Sequence, residues 1–140
     1  MNLPFFNRLQ VKKVIVPTAG EPGQQAEKML HGIWGEIPDL LMSFVVDNKS
    51  GNVLAYYTVN TNYNPNQLNL RNTKLLRTMH DALATKAWPG GPLTDVSVFL
   101  EDQLHYLRPL RDGQWHCFVA VRLADANMGM VKEVVRRCTS

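Results

Sequence analysis

Residues 118–137 read FVAVRLADANMGMVKEVVRR. The run up to Leu123 has the β-branched and aromatic character of a strand. From Asn127 onward Val131, Val134, Val135 and Cys138 recur at i, i+3, i+4 and i+7, the spacing of one helix face. The Asn127-Met128-Gly129 junction has two meanings. Glycine at a helix start suits a phosphate cradle, because free N–H groups there attract anions; it equally suits close packing of a helix on a sheet. The junction holds one glycine, no lysine or serine in Walker-type spacing, and no surrounding parallel strand–helix–strand unit. It therefore reads as a helix start capped by Asp125 or Asn127. Gly129 is expected to let the helix approach the sheet, and Met128 and Met130 to fill irregular space.

Upstream, three strands follow one another over Thr94–Leu100, Leu104–Leu110 and Trp115–Leu123. Asp112-Gly113 is a two-residue hairpin signal. If it closes the turn, facing residues have numbers summing to 225, so that Cys117 opposes Arg108 and Phe118 opposes Leu107. Before these strands, WPGGP at 88–92 stops a long helix. That helix is expected from about Leu68 to Ala87. Its apolar positions Leu75, Leu76, Met79, Ala82, Leu83 and Ala87 recur at three and four residues, and Arg71, Lys74 and Arg77 form a basic stripe.

Further back, LLMSFVV (40–46), the turn DNKSGN and VLAYYTV (53–59) make a hairpin. The nearly continuous apolar run of its first strand implies a strand covered on both faces. NTNYNPNQ (60–67) is a surface connection. QQAEKMLHGIW (24–34) is a helix closed by Pro38. Residues 1–23, with Pro4, Pro17, Pro22, a short β-like run Val11–Val16 and the turn-rich TAGEPG, form an N-terminal arm, and residues 24–140 the domain. The fold class is α/β (α+β) in the order α-β-β-α-β-β-β-α. It has a five-stranded antiparallel sheet, with helices on both faces.

This order, the hairpin FVVDNKSGNVLAYY (44–57) and the strand-to-helix passage at 118–137 are similar to the Roadblock/dynein light chain family in its bacterial type. The resemblance spans residues 24–138. It implies a non-enzymatic module that forms homodimers or heterodimers through the third strand and the second helix. It also implies a platform for small Ras-like GTPases or a subunit of larger scaffolds. Leu75, Leu76, Met79, Val96, Val98 and Leu100 are the expected dimer surface, and Arg71, Lys74 and Arg77 the partner-facing cations. The residues agree in one respect. Val96, Val98 and Leu100 on an edge strand lacking proline or inward charge need a cover, which a two-fold partner supplies.

Bulk properties bound the remaining classes. A chain of 140 residues fits one domain, large enough for a core without metal or disulfide staples. A net charge of +3 is too small and scattered to argue for nucleic acid. No apolar run suits a membrane span and no secretory leader is evident, so a cytoplasmic protein is expected. Cys117 and Cys138 lack the spacing of a disulfide framework or a zinc site.

The histidines His31, His80, His105 and His116 show no metal-ligand spacing. His116 precedes Cys117 in a strand, so the two side chains point to opposite faces and the imidazole cannot activate the thiol. No cofactor and no catalytic residue are expected. The rival expectations are a profilin-like sensor holding a small ligand between sheet and helices, and a small hydrolase using one of the histidines. Leu3–Phe6 (LPFF) could insert into a partner or a membrane surface, though such an arm more often packs on its own domain or exchanges with its dimer mate.

Overall fold

The computed structural model describes residues 14–84, 89–123 and 127–140. Its elements are α1 (Glu21–Glu36), β1 (Leu40–Asp47), β2 (Val53–Thr58), α2 (Pro65–Leu83), β3 (Val96–Phe99), β4 (Gln103–Leu110), β5 (Trp115–Arg122) and α3 (Met128–Cys138). The expected order of elements is found. The strands form one five-stranded sheet in the order β2-β1-β5-β4-β3, every pairing antiparallel.

The β4–β5 register is the one that Asp112-Gly113 implies. Arg108 faces Cys117, Leu107 faces Phe118 and His105 faces Ala120. Asp112 and Gly113 take positive φ and the Gln114 N–H bonds the Arg111 carbonyl at 3.1 Å, as in a primed hairpin turn. In the β1–β2 turn, Asp47 Oδ1 accepts from the Lys49 and Ser50 amides at 2.9 and 3.3 Å. Asn48 ties the two turns together: its N–H reaches the Gln114 carbonyl and its amide Nδ2 the Gly113 carbonyl.

Each face of the sheet carries its own core. Ala26, Leu30 and Ile33 of α1 and Val131, Val134 and Val135 of α3 cover Val45, Leu54, Tyr106, Cys117 and Val119. On the opposite face, Leu76 of α2 packs with Met42, Phe44, Val46, Leu107 and Phe118. Alternation along each strand divides these sets, and β1 and β5 are consequently buried along almost their whole length. Ser43, the one polar side chain in β1's buried run, donates to the Phe118 carbonyl at 2.7 Å.

Several boundaries differ from the sequence-based expectation. Helix α1 begins at Glu21, three residues before Gln24, because Gly20 (φ 87°) turns the chain and Pro22 sits in the first turn, where a missing N–H costs nothing. Helix α2 begins at Pro65, ahead of Leu68: Asn64 caps it by accepting from the Asn66 amide, with proline at the first position. Its expected end at Ala87, and Trp88, lie outside the described residues, as do LPFF (Leu3–Phe6), the first half of Val11–Val16 and Asp125. Asn127 caps α3, accepting from the Met130 amide at 3.0 Å. Of the arm, Val14 is buried in the α1/α3 core, and Ile15 pairs with Tyr56 on the outer edge of β2.

The roles given to the methionines and to Gly129 are corrected. Met128 and Met130 are exposed at 41% and 36%, so they fill no internal space. A Cβ on Gly129 would meet only Asn127 Oδ1, at 3.4 Å. The close approach occurs instead at Gly32, where a Cβ would lie 2.9 Å from Cys138 Sγ. Gly129→Leu is accordingly expected to leave the thermal midpoint unchanged or slightly raised, since glycine in a helix is worse than other residues by up to ~1 kcal/mol; a calorimetric scan checks this.

Candidate functional site

The α2 face of the sheet carries the chain's unusual polar chemistry. Where α2 covers the sheet, its buried side chains are Asn69, Asn72 and Leu76, so two amides occupy positions normally filled by apolar groups. Asn69 donates to the Gly51 carbonyl at 3.0 Å and accepts from Thr73, which pins the start of α2 to the β1–β2 turn. Asn72 Oδ1 accepts two bonds from Arg71, at 3.1 and 2.9 Å, while its Nδ2 is buried without a partner.

Arg71 continues inward. Its Nη2 donates to His105 Nδ1 at 2.9 Å and its guanidinium lies 5.9 Å above the Phe118 ring. Since arginine only donates, His105 Nδ1 must accept, and Nε2–H then donates to Gln103 Oε1 at 2.8 Å. Burial, followed by the adjacent Arg71 charge, lowers the His105 pKa to about 4. Beyond Phe118 the aromatic row continues to Phe44 (4.8 Å between ring centres) and then His116 (6.2 Å).

His116 contacts Asn48 Oδ1 through Nδ1 at 2.6 Å. Asn48 Nδ2 is already donating, so its oxygen accepts and His116 Nδ1 carries the proton. Nε2 is buried without a partner, and burial holds the pKa at about 4. Both histidines are thus neutral near pH 7 and inside the fold.

Cys117, beside His116 in sequence, lies on the other face in the α1/α3 core. Burial raises its thiol pKa to about 12. This chemistry is opposite to that of an activated nucleophile. Among the described residues no three His, Cys, Asp or Glu side chains are grouped to hold a metal, and no helix is long and apolar enough to cross a membrane.

The sequence-predicted surface divides between this core and the exterior. Leu76 is in the core. Leu75, Val96 and Val98 are half-buried against it, and Met79 is half-buried on the same helix. Strand β3 is the sheet edge. Its Val96 and Val98 share the α2 face, whereas Leu100 lies just past its end, exposed like Phe99. Arg71, Lys74 and Arg77 of the basic stripe are all exposed, and Arg71 is also bonded to Asn72 and His105.

A groove of about 700 Å³ runs between α2 and the β4–β5 hairpin, with Leu76 and Arg77 on one wall, Arg108, Pro109 and Asp112 on the other, and Leu93 beside them. The Arg108 side chain itself belongs to the opposite face, where Arg108 stands across from Cys117 and bonds Tyr106, its Nε buried without a hydrogen-bond partner.

No protein-family model matches this chain, and no curated protein matches it by sequence. Solved structures do match in shape. One described as MglB with tetrameric arrangement superposes with a TM-score of 0.71 at 19% identity, over 89% of this chain and 90% of that one. The gliding protein mglB from Thermus thermophilus gives 0.67 at 16% identity over the same shares. A Roadblock/LC7 domain from Streptomyces avermitilis gives 0.67 at 14%, over 79% of this chain and 88% of that one. With its element order, edge strand and helices on both faces, the chain has the Roadblock/LC7 fold.

Proposed function

We propose that this chain is a non-enzymatic scaffold that forms a homodimer through the β3 edge and the adjoining flank of α2, and that the dimer receives a small Ras-like GTPase. The observation that carries the dimer is the open edge. Strand β3 pairs with β4 alone, and Val96 and Val98 beside it are half-covered while Phe99 and Leu100 are exposed at 58% and 40%. An uncovered edge of this kind is a template for another strand, and a two-fold axis through it satisfies both copies at once. The likeness in fold to an MglB with a tetrameric arrangement supports self-association, and the family resemblance supports the GTPase.

The hydrogen-bond parity of β3 supplies the test. The Leu100 N–H bonds the Gln103 carbonyl at 2.8 Å, so Leu100, Val98 and Val96 direct their backbone groups toward β4, and Ser97 and Phe99 direct theirs outward. Ser97→Pro therefore removes an outward N–H and no bond inside the sheet. Light scattering is expected to show the wild-type chain at about twice 15.9 kDa and Ser97→Pro as a monomer with an almost unchanged thermal midpoint. A wild-type monomer at micromolar concentration sinks the dimer. For the partner, a pull-down from the native cell should bring down a Ras-like protein whose retention differs between GTP and GDP.

A further inference from the structure

We infer that the cleft between the outer edge of β2 and the start of α2 binds a neutral, polyhydroxylated ligand, a sugar. The inference stands apart from the dimer and the GTPase, and the site lies at the opposite edge of the sheet from β3. Its floor follows from the alternation of side chains. Val14 and Val16 pack into the α1/α3 core, so Ile15 between them turns its side chain to the α2 face. There it lies beside Tyr56, its paired residue, which is half-buried against the α2-side core, and Thr58 follows on the same face. The segment 61–66, with Tyr63 and the first residues of α2, forms the other wall. The cleft holds about 880 Å³, within the roughly 300–1,000 Å³ of ligand pockets.

The chemistry of the lining selects the ligand. The chain has 15 Lys and Arg and 12 Asp and Glu, yet no charged side chain is among the described residues lining this cleft. Nor does the helix start offer an anion cradle: Pro65 lacks an N–H, and the Asn66 amide is already held by Asn64 Oδ1 at 2.9 Å. The walls carry instead Asn52, Asn62 and Asn66, whose side-chain amides, like the hydroxyls of Tyr56 and Tyr63, make no hydrogen bond to another described residue. A sugar hydroxyl donates and accepts at once, and a side-chain amide offers both functions at fixed spacing. Tyrosine rings suit the C–H faces of a sugar ring while their hydroxyls meet its oxygens. A purely apolar ligand would strip water from these amides without replacing it. An extended peptide would need the β2 edge, where Tyr56 already exchanges both backbone bonds with Ile15, at 2.8 Å each.

The experiment is a titration of the intact, isotope-labelled chain followed by amide NMR. The probes are glucose, galactose, mannose, N-acetylglucosamine, maltose and cellobiose, each added separately, with inorganic phosphate and citrate as anionic controls. At least one sugar is expected to bind saturably in the millimolar range and to shift the amides of Tyr56, Thr58 and Tyr63 most, while phosphate and citrate leave them unmoved. Tyr63→Ala, which removes an exposed ring, should weaken that binding about tenfold, and Asn66→Ala about fivefold. Lys74→Gln, outside the cleft, should leave it unchanged.

The absence of a saturable shift with every sugar overturns the inference. So does sugar binding indifferent to both Tyr63→Ala and Asn66→Ala, which would place it elsewhere on the chain. Tighter binding of phosphate or citrate at these amides also overturns it, by making the cleft an anion site. Ser97→Pro, which tests the dimer at the far edge of the sheet, leaves the cleft intact and should bind the same sugar.

Discussion

Gly23→Ala is expected to be the most damaging glycine-to-alanine change among the described residues. Gly23 lies in the first turn of α1 and is buried; a Cβ there would sit 2.0 Å from the Thr18 carbonyl oxygen and 2.9 Å from Val16 Cγ1. The nearest obstacle is backbone, so no rotamer relieves it. The arm must lift away, taking Val14 out of the core and the Ile15–Tyr56 pairing with it. Overpacking typically costs about 1–3 kcal/mol, and loss of the arm's burial adds to it, for a total of roughly 3 kcal/mol or more. Gly35 in the same helix is the control: nothing lies within 4 Å of its Cβ position. Gly35→Ala should stabilise by up to ~1 kcal/mol through helix propensity. Urea denaturation of the two variants side by side measures both effects.

Acid should weaken the fold well before its carboxylates protonate. His105 and His116 have pKa values near 4 in the folded chain, against 6.5 for the free side chain. Between those values the unfolded chain binds more protons, so unfolding free energy falls as pH drops. The stability is fully present above pH 6.5 and is lost progressively toward pH 4. Linkage puts the loss for a group shifted this far at about 2 kcal/mol by about pH 5 and about 3 by about pH 4.

His116 should approach that figure, and His105, which solvent reaches more easily, should contribute less. Protonating His105 also removes the acceptor that Arg71 uses and sets two cations together. His105→Gln keeps an acceptor, cannot ionise, and should flatten part of the curve. Denaturant midpoints at about pH 7, 6 and 5 decide the matter; a flat profile over that range refutes the buried neutral state of both rings.

The order of elements was legible because continuous apolar runs, DNKSGN and Asp112-Gly113 mark their own boundaries. The β4–β5 register followed from one dipeptide. What the sequence hid was which neighbours each side chain meets. Asn69 and Asn72 look like surface residues on a helix, yet the sheet lies beneath them. Arg71 shares the three-residue spacing of Lys74 and Arg77, but only Arg71 has His105 and Phe118 within reach.

Gly129 drew attention at a junction, whereas the crowded glycines, Gly23 and Gly32, owe their constraint to segments arriving from outside the helix. The start of α2 did carry a local signal, the Asn64-Pro65 pair, in which a capping side chain precedes a proline at the first helical position.

Pairing of the outward edge of β3 with a second copy is tested most directly by amide hydrogen exchange at Ser97 and Phe99. In a lone chain these two outward N–H groups have no strand to bond and exchange rapidly. Slow exchange is expected at micromolar concentration and above, becoming fast on dilution and, at Phe99, in Ser97→Pro. Rapid exchange of both amides at every concentration, beside a protected Val98, would contradict the dimer.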